Sequence, residues 1–209
     1  MKAFVFLNGG ISRPEFYREH FRQHYVEGDV VYCANGGSRI AREAGVTPDF
    51  IIGDLDSMAT GSKTKKVEEA KKIVYPEEKD FSDFELILGK LRETSVNRVI
   101  VYGALGGRID HELINVLLLV YFDLEMSFIE EGCEVYNVLG KKKMVNENGK
   151  ICTLFTPCGC FIKEMVGFKY ILENHKLLPS SRGLSNLIVS DTAWISIGEG
   201  RLCLILIKK

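Results

Sequence analysis

From residue 1 to about residue 131, short apolar runs alternate with amphipathic stretches, and this alternation constrains the fold more than any other feature of the chain. Short apolar runs between turn signals read as strands, and apolar positions spaced three and four apart read as helices. The strands expected are Ala3–Leu7, Val30–Ala34, Phe50–Ile52, Ile73–Tyr75, Val99–Tyr102 and Met126–Glu130. Helices are expected near Glu15–Val26, Ser38–Ala44, Lys63–Lys72, Asp83–Arg92 and Asp110–Phe122. Strands that alternate with helices wind a mostly parallel sheet, so the expectation is a doubly wound α/β domain over residues 1–131.

After Gly132 the helical period stops. Short β-rich pieces follow at Val135–Leu139, Ile151–Phe155, Phe161–Val166, Tyr170–Leu172, Leu187–Val189, Ala193–Ile197 and Leu202–Ile207, separated by turns such as Asn148-Gly149, Pro157-Cys158-Gly159 and Gly198-Glu199-Gly200. Residues 132–209 are therefore expected to form an all-β sandwich. Lys141-Lys142-Lys143, next to Gly140, reads as a solvated hairpin turn.

The composition excludes several classes of function. A net charge of −1 argues against a nucleic-acid partner, which would favour a basic surface. The longest apolar run, Leu113 to Phe122, carries Asn115 and ends at Asp123, so no membrane span is expected. The six cysteines contain no CxxC pair, and reduced thiols in a cytoplasmic protein are expected.

Ligands of open α/β sheets bind beyond the carboxyl ends of the strands, which makes the residues after each strand informative. Asn35-Gly36-Gly37-Ser38 follows the second strand and Gly53-Asp54-Leu55-Asp56-Ser57 the third. Lys79-Asp80-Phe81-Ser82-Asp83 precedes a helix, and Gly103 to His111 follows the fifth strand with Arg108 and Asp110 inside it. Several carboxylates in one crevice repel each other unless a cation neutralises them. Mg²⁺ suits them, because it takes a few carboxylates together with water and phosphate oxygens. Glycines permit close backbone approach, and Arg108 can fork onto a phosphate. Competing local readings exist: Ser82-Asp83-Phe84-Glu85 fits a capping box, and His111 can simply cap its loop. His20 and His24 lie four apart on a helix without an HExxH pattern and read as one face of a surface helix. No Walker A or G-x-G-x-x-G sequence is present, so an ATP site must be built another way.

These blocks, in this order, resemble the thiamine pyrophosphokinases. The likeness is carried by Asn35-Gly36-Gly37, Pro48 to Ser57, Lys79 to Asp83 and Gly106 to His111, and in the C-terminal part by Gly167 to Leu172 and Gly183 to Asn186. It implies an ATP- and metal-binding α/β domain, a thiamine-binding β-sandwich and a homodimer with active sites at the subunit junction. By position, Asp54, Asp56 and Asp83 would hold Mg²⁺ and the triphosphate. Asn35, Gly36, Gly37, Arg108 and His111 would contact ATP, Asp110 would join the catalytic set, and Ser185 and Asn186 would contact thiamine. Asp83 or Asp110 is the expected acceptor of the hydroxyl proton. Asn35 stands where the family usually has aspartate, and Ser82 where it usually has threonine. Two rivals follow: a pyrophosphokinase of another small alcohol such as a hydroxymethylpterin, and a non-catalytic thiamine or nucleotide sensor.

Overall fold

A computed structural model of the protein describes residues 1–54, 70–76, 78 and 80–208. The chain divides into two compact units, residues 1–115 with 128–131, and residues 116–127 with 132–209. Residues 116–127, read from the sequence as part of the first domain, cluster with the second unit.

The first unit is built on strands β1 (Lys2–Phe6), β2 (Val30–Ala34), β3 (Phe50–Gly53), β4 (Lys71–Val74), β5 (Arg98–Tyr102) and β6 (Glu125–Ile129), the last shared with the second unit. Their order across the sheet is β6-β5-β1-β2-β3-β4, and every pair from β5 to β4 is parallel. Strands covered on both faces need continuous apolar runs. Phe4, Phe6, Val99 and Val101 are accordingly fully buried.

Four helices are described: α1 (Pro14–His24), α2 (Gly37–Glu43), α3 (Asp83–Arg92) and α4 (Ile109–Tyr121). Pro14 starts α1, where its missing N–H costs nothing, and Arg22 and His24 lie in its last turn. Ser82 caps α3, its hydroxyl accepting from the Glu85 N–H at 3.2 Å. Helix α3 buries Phe84, Ile87, Leu88 and Leu91, the i, i+3, i+4, i+7 stripe of a core-facing helix. The expected helix over Lys63–Lys72 lies outside the described residues as far as Glu69, while Lys71 and Lys72 belong to β4.

The second unit contains β7 (Cys133–Val138), β8 (Lys141–Val145), β9 (Ile151–Phe155), β10 (Cys160–Val166), β11 (His175–Leu177), β12 (Asn186–Leu187), β13 (Thr192–Gly200) and β14 (Leu202–Ile207). One set is ordered β12-β9-β14-β7 and a separate four-stranded sheet β11-β10-β13-β8. Both sets contribute to one apolar cluster: Leu154 and Leu204 from the first, Ile162 and Ile195 from the second. Alternation along β13 sends Ala193, Ile195 and Ile197 inward, as a one-sided strand requires.

Three local expectations need correction. Lys141-Lys142-Lys143 is not a turn but strand β8, paired with β13. Its lysines are held along their stems, with the Lys142 ammonium 3.0 Å from Glu125 and over the Tyr136 ring, and the Lys141 ammonium 4.9 Å from the Trp194 ring. Tyr170–Leu172 forms no strand, because the pairing after Gly167 is reduced to a single bridge between Phe168 and Ile188. Gly198 to Gly200 continues β13 instead of turning. None of the six cysteines forms a disulfide. Among the described residues, no helix is long and apolar enough to cross a membrane.

Candidate active site

Two glycine-containing loops at the carboxyl ends of β1 and β5 are pressed together backbone to backbone. Gly9 donates its N–H to the Gly103 carbonyl at 2.8 Å, and a Cβ at Gly9 would lie 2.2 Å from the Leu105 carbonyl oxygen. No side chain larger than hydrogen fits there. Beside them, a Cβ on Gly37 would fall 2.0 Å from the Phe6 carbonyl oxygen, so this glycine is required for packing helix α2 onto β1. Helix α2 spans only seven residues, and its dipole is correspondingly small.

Between these loops and the start of α3 opens a cavity of about 480 Å³. Asn8, Asn35, Gly36, Asp83, Arg108 and His111 are among the residues that line it. Gly53 is the point of convergence. A Cβ there would lie 2.8 Å from the Asn35 Cβ and 2.9 Å from Asp83 Oδ2, and its φ of +153° is itself unfavourable to other residues. The Asn35 amide, on a residue with φ 24°, donates to Asp54 Oδ1 at 2.5 Å. The side chains of Asn35 and Asp83 therefore crowd the backbone of the residue that carries Asp54 onward. Hard oxygen donors so gathered match the chemistry of a hard divalent cation. Asp56, expected as a further ligand, lies outside the described residues, and among those described no group of three His, Cys, Asp or Glu side chains forms a metal cluster.

Arg108 and Asp110 form a forked pair, with Nη2 to Oδ2 at 2.6 Å and Nε to Oδ1 at 3.1 Å. The hydrogen bond from Arg108 holds the Asp110 carboxyl down at about 2, helped by the His111 N–H that donates to it at 3.0 Å. Arg108 and His111 line the cavity, whereas Asp110 is exposed in the first turn of α4 and is not among the lining residues.

The β5–α4 loop that carries Arg108 is gripped from behind by residues the sequence did not single out. Glu130, immediately after β6, is buried, and its Oε1 accepts from the Ala104 N–H at 2.7 Å and the Leu105 N–H at 3.3 Å. The Tyr17 hydroxyl donates to its other oxygen at 2.9 Å. Burial pushes the Glu130 carboxyl up to about 7, against the pull of these donors. Asn115 donates to the Ala104 carbonyl at 2.8 Å, and Glu112 accepts from the Gly107 N–H at 2.8 Å. Asn8 and Gly9 were legible by the strand-end rule, since they directly follow β1. Glu130 gave no sign beyond a carboxylate at the end of an apolar strand.

In the second unit, Ser185 is exposed with φ 55°, and its N–H donates to Thr153 Oγ1 at 3.2 Å. Asn186 is buried. Its Oδ1 accepts from the N–H groups of Tyr170 at 3.0 Å and Leu187 at 2.8 Å, while its Nδ2 donates to the Tyr170 carbonyl at 2.7 Å. The side chain thus fixes the Gly167–Leu172 segment, leaving Tyr170 and Ile171 exposed.

An α/β unit with a polar cavity at the carboxyl ends of its parallel strands, walled by carboxylates and an arginine, has the placement at which open α/β sheets bind small ligands. The chain belongs to the thiamine pyrophosphokinase family: the family described as thiamin pyrophosphokinase, catalytic domain, matches residues 21–129. It is 30% identical over 172 residues to a thiamine pyrophosphokinase of Bacillus subtilis, covering 78% of this chain and 80% of the relative. The crystal structure of thiamine pyrophosphokinase from Bacillus subtilis superposes with a TM-score of 0.82 at 19% identity over the whole of both chains. That from Geobacillus thermodenitrificans gives 0.80 at 22% identity, covering 100% of this chain and 98% of the other. At such identities the superpositions establish the fold alone.

Proposed function

We infer that the chain transfers the pyrophosphoryl group of ATP to the primary hydroxyl of thiamine, giving thiamine diphosphate and AMP. The observation that carries this reading is the convergence around Gly53 of Asn35 and Asp83, which line the cavity, with Asp54 hydrogen-bonded to Asn35, in a chain of this family. Residues 1–131 are read as the ATP- and metal-binding domain, with the parallel strands of a doubly wound sheet, and residues 132–209 as a thiamine-binding β-sandwich. Asp54, Asp56 and Asp83 would hold Mg²⁺, which when bound neutralises charge on the phosphate oxygens and so eases nucleophilic attack at the β-phosphorus.

The chain's own residues do the rest by positioning and charge. The glycines of both loops let phosphate oxygens approach the backbone, and Arg108 supplies a fork of donors at the cavity mouth. Asp110 keeps that fork oriented through their paired contacts. Asp83 lines the cavity and Asp110 does not, so the hydroxyl proton is assigned to Asp83. Gly36, Gly37 and His111 complete the ATP side. Ser185 is read as contacting thiamine directly, and Asn186 as shaping the thiamine side by holding Tyr170.

A homodimer is part of this reading. Ile109, Leu113, Leu117 and Tyr121 repeat every four residues along α4 and are 37% to 69% exposed, an apolar stripe that a second copy would cover. Cysteines outside disulfides accord with a cytoplasmic setting. Incubation with ATP, Mg²⁺ and thiamine is expected to yield AMP and thiamine diphosphate. AMP formed only with a hydroxymethylpterin would replace thiamine as the acceptor, and ligand binding without AMP would make the chain a sensor.

A further inference from the structure

Among the described residues, three polar side chains meet around Gly53, and two of these are acids. Asn35 and Asp83 both come within 3 Å of the position a Gly53 Cβ would take, at 2.8 and 2.9 Å, and Asp54 is the next residue along the chain. The Asn35 amide nitrogen, not its oxygen, must face Asp54 Oδ1, because an ionised carboxylate can only accept. A donor placed against a carboxylate fixes its position and offsets part of the repulsion from a neighbouring carboxylate. The same neutral amide contributes no charge to attract a cation. An aspartate of equal size would do the reverse on both counts, leaving the empty site strained and drawing a cation into it.

We propose that Asn35 holds Asp54 in place without a metal, so that the site takes its divalent cation together with the phosphates of the nucleotide and not beforehand. This rests on the reading of Asp54 and Asp83 as cation ligands. Phosphate oxygens supply the negative charge that position 35 withholds, and cation and nucleotide then bind with mutual enhancement.

Mn²⁺ is the probe, followed by electron paramagnetic resonance with the nucleotide-free protein and again with a non-hydrolysable ATP analogue. Wild type is expected to bind Mn²⁺ weakly alone and much more tightly with the analogue. Asn35→Asp is expected to bind Mn²⁺ alone about tenfold more tightly than wild type, since ligand charge sets affinity at such sites. Its metal-free melting temperature should fall below wild type in EDTA and recover on adding Mn²⁺. Asn35→Gly accepts the positive φ and removes the donor without adding charge, so its Mn²⁺-dependent rise in melting temperature should exceed that of wild type. Equal Mn²⁺ affinity of wild type and Asn35→Asp without nucleotide overturns the proposal, as does an equal rise for wild type and Asn35→Gly. No titration here uses thiamine, so a negative result leaves the acceptor assignment standing. A wrong acceptor likewise leaves these titrations unchanged.

Discussion

Gly53 is a position at which one methyl group would reach directly into the candidate site. Its φ of +153° disfavours any side chain, and the atoms a Cβ would strike belong to Asn35 and Asp83. Gly53→Ala is expected to cost roughly 2–4 kcal/mol in stability and to abolish turnover, measured by thermal melts and by AMP release. Glu130 supplies a pH-dependent prediction. Its carboxyl is raised from 4.5 to about 7 in the fold, chiefly by burial, so the fold favours the protonated form. The stability this adds is complete below pH 4.5 and disappears as pH rises through about 7, on the order of 3 kcal/mol in all. The melting temperature of wild type should therefore fall relative to Glu130→Gln between pH 5 and 8. Parallel profiles for the two would show that Glu130 does not titrate in that window. At this scale the sequence was a partial guide: Asp54, Asp83 and Arg108 stand out by following strands or opening helices. Glu130 does not, because its partners Tyr17 and Ala104 are 113 and 26 residues away.

At the scale of elements, periodicity carried most of the information. Helix α3 was legible to the residue because a capping serine and a four-residue apolar stripe agree on its limits. Strand β8 was not, since three lysines look solvated until the ammonium groups of Lys141 and Lys142 find Glu164, Glu125 and the faces of Trp194 and Tyr136, and the strand pairs with β13 far along the chain. Tyr170–Leu172 was misread as a strand for a related reason: its order comes from one buried side chain, Asn186. Asn186→Ala removes three hydrogen bonds that hold Tyr170 and Leu187. It is expected to destabilise the protein by about 2–4 kcal/mol and to raise KM for thiamine while leaving KM for ATP nearly unchanged. An equal rise in both constants would count against a thiamine-side role for the segment.

For the whole molecule, the exposed stripe of α4 carries the prediction. Leu113→Glu places a charge amid Ile109, Leu117 and Tyr121, and sedimentation velocity is expected to show a dimer for wild type and a monomer for the variant. If wild type sediments as a monomer at micromolar concentration, the stripe has another use. Most element types, the change from alternating helix and strand to β structure near residue 132, and membership of the family were determined by sequence alone, because each depends on patterns within a few residues or on the order of short blocks. Only the tertiary structure decided that Asn35, Asp54 and Asp83 meet around one glycine, that Asp110 is bound to Arg108, and that Glu130 grips the loop beside the cavity. Apart from the Arg108–Asp110 fork, these contacts join distant parts of the chain, and strand order and backbone direction create them; no local period encodes them.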